Sequence, residues 1–242
     1  MRVQVGLLAV PGLMRATVQE SRLPSDLLKF LKELKKNNNK DWFTKNKARY
    51  EESLKAPCLA FVASVGPGLK KISKTTVADP RPVGGSLSRI YRDIRFSKDK
   101  SPYKTNVGLM FHNWHNDETT HLPGFYLHLE PGGSGVWAGV WQPTPPLLQN
   151  IRDRIVAKPE DWKKVTKGHE WSDHGESLKR VPQGYDAAHP FAEDLKRKDF
   201  LIGTSFTDAE VTSADFTSTF LDVCSDLAPF NAFLSKAMGT EW

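Results

Sequence analysis

The chain has 242 residues, 39% of them hydrophobic and 26% charged, with a formal net charge of +6 at pH 7. That make-up predicts a soluble globular protein with a core of useful size, read here as one α+β domain over residues 23–242. The two cysteines, Cys58 and Cys224, stand far apart in no ligand-type spacing. This excludes a disulfide scaffold and a zinc knuckle, and fits a reducing, cytoplasmic setting. No apolar run is long enough to span a bilayer, so no membrane partner is expected.

Residues 1–22 differ in composition from the rest. They carry Arg2, Arg15 and Arg22, no acid before Glu20, and a short apolar run broken by Pro11 and Gly12. The expectation is a disordered or loosely docked extension, with organelle targeting as the alternative. Ser25 then caps a helix reaching Lys36, with Leu27, Leu28, Phe30, Leu31 and Leu34 as its apolar stripe. Asn37, Asn38 and Asn39 end that helix, because Asn tolerates the left-handed conformation. Asp41 is expected to cap a second helix carrying Trp42, Phe43, Tyr50 and Leu54, which makes an N-terminal helical hairpin. Trp42 and Phe43 are read as core anchors in preference to a base-stacking platform. A third helical piece starts near Pro57 and is interrupted at Gly66, Pro67 and Gly68. Residues 74–87 are rich in Pro and Gly. The Gly84-Gly85 pair is weak evidence for phosphate cradling, since Gly marks any tight turn.

The stretch SRIYRDIRFSKDKSPYKTN, residues 88–106, concentrates six cations in a strand-like run and the loop after it. Alternation along a strand puts Ile90, Ile94 and Phe96 on one face with Arg92, and Arg89, Tyr91, Asp93 and Arg95 on the other. In the loop, Ser97, Lys98, Lys100, Lys104 and Thr105 supply ammonium groups and hydroxyls, while Pro102 fixes the turn. Ammonium, guanidinium and hydroxyl donors are what a phosphate or carboxylate requires. A solvated sheet face and a flexible basic loop are the competing readings.

Residues 107–114 read as a second strand. The following HNWHNDETTH, with His112, His115 and His121, is taken as a polar connection and not as a metal site, because no helical i, i+4 pair is present. GFYLHLE, residues 124–130, alternates cleanly, with Phe125, Leu127 and Leu129 facing one way and Tyr126, His128 and Glu130 the other. A five-residue turn, 131–135, leads into residues 136–141. That turn places Ala138 opposite His128 and puts Trp137 and Trp141 over the apolar face. Three antiparallel strands would then gather Arg89, Asp93, Arg95, Tyr126, His128 and Glu130 on one side of a sheet.

The remainder is expected to be helical. One helix runs from Pro145 or Pro146 to Ala157, and another opens at Pro159 with Trp162 and Val165 inward. Residues 168–188 are irregular, and a short helix follows His189-Pro190. A C-terminal helix from about residue 213 carries Phe216, Phe220, Val223 and Leu227, and is kinked or broken at Pro229. No nucleophile elbow, Walker loop, Rossmann fingerprint, HExxH or CxxC pair occurs.

Four segments in this order, NNNKDWF (37–43), RIYRDIRFSKDKSPYKTN (89–106), GFYLHLEPGGSGVWAGVWQP (124–143) and RVPQGYDAAHP (180–190), resemble a widespread domain-of-unknown-function family of bacteria, fungi and other eukaryotes. The resemblance covers roughly residues 23–225 and implies no activity, cofactor or catalytic residue to carry over.

The fold expectation is a central antiparallel sheet with packed helices, an N-terminal helical hairpin and C-terminal helices. The functional expectation is binding of, or catalysis on, a phosphorylated or otherwise anionic small ligand. Arg89, Tyr91, Arg92, Arg95, Ser97, Lys98, Lys100, Lys104, Thr105 and Tyr126 would contact it, and Asp93, His128 and Glu130 would position it or move protons. A nucleic-acid-binding module and a structural ion-pair network are the alternatives. The residues specify no cofactor and no oligomeric state.

Overall fold

A computed structural model describes residues 22–112, 122–173 and 175–242 of the chain. Helix α1, Ser25–Lys36, buries the expected leucine and phenylalanine stripe. Pro24, not Ser25, holds its N-cap position, and Ser25 is the first helical residue. Asn37 ends the helix with φ −130°, outside the left-handed region, and its side-chain amide donates to Glu33 O at 3.0 Å. Asn39, not Asp41, caps α2, Lys40–Lys45, by accepting the Trp42 N–H at 2.9 Å. Asn outranks most residues as an N-cap, and the helix begins one residue after it.

Helix α3, Lys47–Tyr50, continues through a π-helical turn, Glu51–Lys55, into α4, Ala56–Ile72. Arg49 ties this segment back to α1 by ion pairs to Asp26 and Glu33, both at 2.7 Å. The expected interruption at Gly66-Pro67-Gly68 does not occur, and Pro67 lies inside α4. Gly68 is there for contact: a Cβ would come within 2.5 Å of a Leu221 methyl. Tertiary packing against the C-terminal helix therefore overrides the local breaking signal.

Five antiparallel strands form one sheet in the order β1-β2-β3-β5-β4. They are β1, Val107–His112; β2, Gly124–Leu129; β3, Ser134–Val140; β4, Glu170–Trp171; and β5, Phe200–Phe206. The remainder of the chain is thus not all helical, as β5 pairs with the whole of β3. Its sequence, FLIGTSF, lacks a clean alternation, because Thr204 interrupts the side carrying Phe200, Ile202 and Phe206, and Leu201 adds an apolar residue to the other. The expected loop after β1, residues 113–121, and the N-terminal extension lie outside the described residues.

The hairpin between β2 and β3 turns on Glu130-Pro131-Gly132-Gly133. Gly132 takes φ 71°, and the Gly133 N–H donates to Glu130 O at 3.0 Å. A turn with Pro second and a left-handed Gly third sets a tighter register than the expected five-residue loop. His128 consequently faces Gly135, not Ala138. The shift is odd, so it exchanges the faces of β3. Val136, Ala138 and Val140 point into the core, whereas Trp137 stands on the open face and Trp141 is exposed.

Helices cover one face of the sheet. Helix α9, Phe216–Met238, lies against β3 and runs unbroken through Pro229. Its Asn231 side chain donates to Gly124 O at 3.0 Å. Around α9 pack α4, α5 (Pro145–Ala157) and α6 (Pro159–Thr166). Trp162 of α6 is fully buried among Trp171, Phe200, Phe230 and Phe233. The short helices α7, Ala192–Leu195, and α8, Asp208–Val211, bracket β5, and a capping box between Thr207 and Glu210 starts α8. Among the described residues no helix is long and apolar enough to cross a membrane.

Candidate functional site

Residues 86–88 run along the free edge of β1. The Ser88 N–H donates to Gly108 O at 2.9 Å and the Met110 N–H to Ser86 O at 2.9 Å. The basic stretch then leaves the sheet as an arm. It is not the expected strand: a single bridge joins Tyr91 to Tyr103. The Arg92 N–H donates to Pro102 O at 3.0 Å and the Lys104 N–H to Ile90 O at 2.7 Å, closing the arm on itself. Ile90 is buried, but Ile94 is half-buried and Phe96 is 95% exposed, so the expected shared apolar face does not form. Charge explains the difference. A sheet strand here would carry Arg92 on its apolar face, whereas in the arm Arg92 is paired with Asp99.

Within the arm most charges answer one another. Arg92 pairs with Asp99 and donates to Ser101 Oγ at 2.7 Å, Ser101 O at 3.2 Å and Ser97 Oγ at 3.4 Å. The Ser101 hydroxyl and backbone N–H, followed by Arg92, hold the Asp99 carboxyl down at about 2. Arg95 pairs with Asp93 at 2.7 Å, and its guanidinium lies over the Phe96 ring. Lys100 donates to Ile94 O at 2.9 Å. Lys98 is exposed.

The three asparagines after α1 each have a distinct job. Asn37 and Asn39 cap helices, and Asn38 grips the arm. Its Nδ2 donates to Tyr103 O at 2.8 Å and its Oδ1 accepts the Tyr103 N–H at 3.0 Å. Phe43 stacks on the Tyr103 ring with centroids 4.1 Å apart. Thus NNNKDWF and SPYKTN, distant in sequence, form one joint.

A cleft of about 390 Å³ opens at that joint, lined by Lys35, Arg92, Asp99, Ser101, Lys104 and Thr105 among others. Lys104 is half-buried. Burial, followed by the positive charge of Arg89, holds its ammonium below the ordinary lysine value. No carboxylate lies within ion-pair distance of Lys104 or Arg89 among the described residues. Arg89 also acts on the Asp93 carboxylate, but Lys104 has no ion-pair partner among the described residues, a deficit that a bound anion would relieve.

Next to the cleft, β2 presents a hydrogen-bonded row. Tyr126 Oη and His128 Nδ1 are 3.3 Å apart, His128 Nε2 and Glu130 Oε2 are 3.3 Å apart, and Glu130 Oε1 meets Lys35 Nζ at 3.2 Å. A carboxylate only accepts, so Nε2 carries a proton. In the neutral ring Nδ1 is then bare, and it accepts from the Tyr126 hydroxyl, whose pKa burial raises. A hydroxyl on a histidine base oriented by a carboxylate can move a proton through the row. Glycines make the space: His128 lies between Gly108 and Gly135 across the strands, and a Cβ on Gly108 would sit 2.7 Å from Tyr126 Oη.

Of the residues singled out in the sequence, Arg92, Lys104 and Thr105 line the cleft, Arg89 acts on Lys104, and Tyr126, His128 and Glu130 join it through Lys35. Asp93, Arg95, Lys98 and Lys100 belong to the arm's outer part, so they do not share a sheet face with His128. Tyr91 is 56% exposed. Lys35 and Asn38 were not legible as site residues. Asn38 lies inside NNNKDWF, but Lys35 looks like any helix-surface lysine. Among the described residues no group of three or more His, Cys, Asp or Glu side chains is placed to hold a metal ion.

Residues 26–233 match the family model described as Conserved hypothetical protein (DUF2461). No curated protein and no solved structure matches the chain.

Proposed function

Because the chain belongs to the DUF2461 family, whose description assigns no activity, its function is read from its own geometry, and we propose that it binds a phosphorylated or otherwise anionic small ligand in the cleft between α1 and the arm. The observation that carries this reading is Lys104, half-buried, depressed by burial and by Arg89, and open to a concave site whose one lining carboxylate, Asp99, is already paired with Arg92. Lys35, Arg92 and Lys104 supply positive charge, and Ser101 and Thr105 supply hydroxyls. The ligand's anionic group would lie beside the Tyr126–His128–Glu130 row. Bound there, a substrate with a transferable proton would meet a hydroxyl–imidazole pair, with Tyr126 as proton donor or acceptor, His128 as base and Glu130 as the group that orients the ring. Asp99 and Glu130 limit the net positive charge, which favours one compact anionic group over a long polyanion.

Exposed Tyr91 and Phe96 on the basic arm favour a second reading, base stacking with single-stranded nucleic acid. The test is isothermal titration of the purified protein with inorganic phosphate, phosphomonoesters and a short oligonucleotide, at low and moderate salt. Saturable small-anion binding that weakens at least tenfold in Lys104→Ala, with the variant still folded, supports the cleft. Binding only to the oligonucleotide, lost in Phe96→Ala and collapsing as salt rises, supports the second reading. No binding in any arm refutes both.

A further inference from the structure

A second cleft, also about 390 Å³, lies at the opposite end of β3. The chain leaves β3 there through Gln142 and enters β5 through Asp199. Its apolar walls are Pro143, Leu148 of α5 and Leu178. Arg152 of α5 lines it as well, although that residue is only 8% exposed.

The bonds of Arg152 are unusual for a buried cation. Nε donates to Leu195 O at 2.8 Å and Nη2 donates to Arg197 O at 3.0 Å. Both acceptors are neutral carbonyls. No carboxylate lies within ion-pair distance of the guanidinium, and Nη1 makes no hydrogen bond, among the described residues. Burial pulls the guanidinium pKa down, with the Tyr185 phenol acting the other way. Buried charges are normally paired, because desolvation costs several kcal/mol per ion.

The acids at this cleft are already engaged. Asp199, 4% exposed, accepts the Gln142 N–H at 2.6 Å and the Glu176 N–H at 3.0 Å. The Glu176 side chain pairs with Lys198 at 2.8 Å. Gln142 is held at φ 47°, a left-handed conformation rare outside Gly and Asn, where its N–H reaches Asp199. Backbone strain of this kind gathers at ligand sites. The cleft therefore has apolar walls, a floor in which the Asp199 carboxylate is spent on two backbone amides, and a guanidinium with a free edge.

We propose that this cleft binds a small aliphatic carboxylate, with its oxygens on the free edge of the Arg152 guanidinium and its hydrocarbon body against Pro143, Leu148 and Leu178. A planar guanidinium matches a carboxylate in two parallel hydrogen bonds. The volume falls at the small end of ligand sites, which selects a compact molecule. The site shares no residue with the cleft at the arm, so it stands or falls separately from the anion reading above.

The probe is hexanoate, titrated into the full chain while the methyl resonances of Leu148 and Leu178 are followed by NMR, with hexylamine and inorganic phosphate as controls. Saturable shifts of both leucines with hexanoate alone are expected. Arg152→Gln should weaken hexanoate at least tenfold. If losing the two carbonyl bonds unfolds that variant, Leu178→Trp fills the cleft and leaves Arg152 in place, and should likewise weaken hexanoate at least tenfold, read at Leu148. Equal shifts with hexylamine, no shift with hexanoate, or unchanged affinity in a folded Leu178→Trp variant each overturn the proposal.

Discussion

Asn38→Ala should loosen the arm without removing a single charge. Asn38 makes two hydrogen bonds to the Tyr103 backbone, at 2.8 Å and 3.0 Å. Each such bond contributes about 1 kcal/mol net, and half-buried backbone groups left unpaired raise the cost of losing them. The substitution should therefore destabilise the fold by about 2–3 kcal/mol, measured by urea unfolding. Asn39→Ala is the control. It removes the α2 cap and should cost about 1 kcal/mol, but it leaves the arm attached. Hydrogen exchange separates the two. The Arg92 and Lys104 amides, which bond across the arm, should exchange faster in Asn38→Ala than in Asn39→Ala. Small-anion affinity should fall in Asn38→Ala alone, because the cleft needs the arm seated against α1. If Asn38→Ala costs less than about 0.5 kcal/mol, or if both variants speed the same amides equally, the joint does not position the site and the account of NNNKDWF is wrong.

Gly203→Ala would bring a Cβ to 2.1 Å from Val136 O and 2.7 Å from Trp137 Cδ1, and it should cost more than about 3 kcal/mol or prevent folding, read by yield and thermal melt. Trp162→Ala empties the centre of an aromatic cluster and removes the partner of Asp194 at 2.8 Å. Chemical denaturation should show a loss of about 3–5 kcal/mol. Asp26 is depressed to about 2, chiefly by the Arg49 hydrogen bond, so its stabilising effect is present above the ordinary carboxylate range and disappears as pH falls through about 2. Arg49→Met should accordingly raise the midpoint of acid unfolding, and an unchanged midpoint would show the clamp to be inert. Tyr126→Phe keeps the ring and removes the proton donated to His128. If the row moves protons, turnover of any substrate found for the cleft should fall at least tenfold with affinity unchanged.

The α+β class, the leucine face of α1, the alternation of β2, the extent of α5 and the start of α6 were all legible in the amino-acid sequence. Each depends on a local period or on a proline at a helix start, and neighbouring residues carry those signals by themselves. The concentration of cations at residues 88–106 was equally plain. What that stretch becomes was not. Ile90, Ile94 and Phe96 alternate like a strand, yet Arg92 shares their face, and the segment folds back on itself, where Arg92 meets Asp99. Pro67 and Pro229 look like breaks, but packing between α4 and α9 carries both helices through. The register of β2 against β3 was decided by the left-handed Gly132, and one odd shift moved Trp137 from the core to the open face. β5 was hidden because Thr204 on the core side and Leu201 on the other blur the alternation a strand would show. Lys35, Asn38 and Arg152 acquire their importance from partners 95, 65 and 43 positions away. Residue type and spacing state which groups are available. Only the long-range pairing of backbone and side chains decides which charges are answered inside the protein and which are left for a ligand.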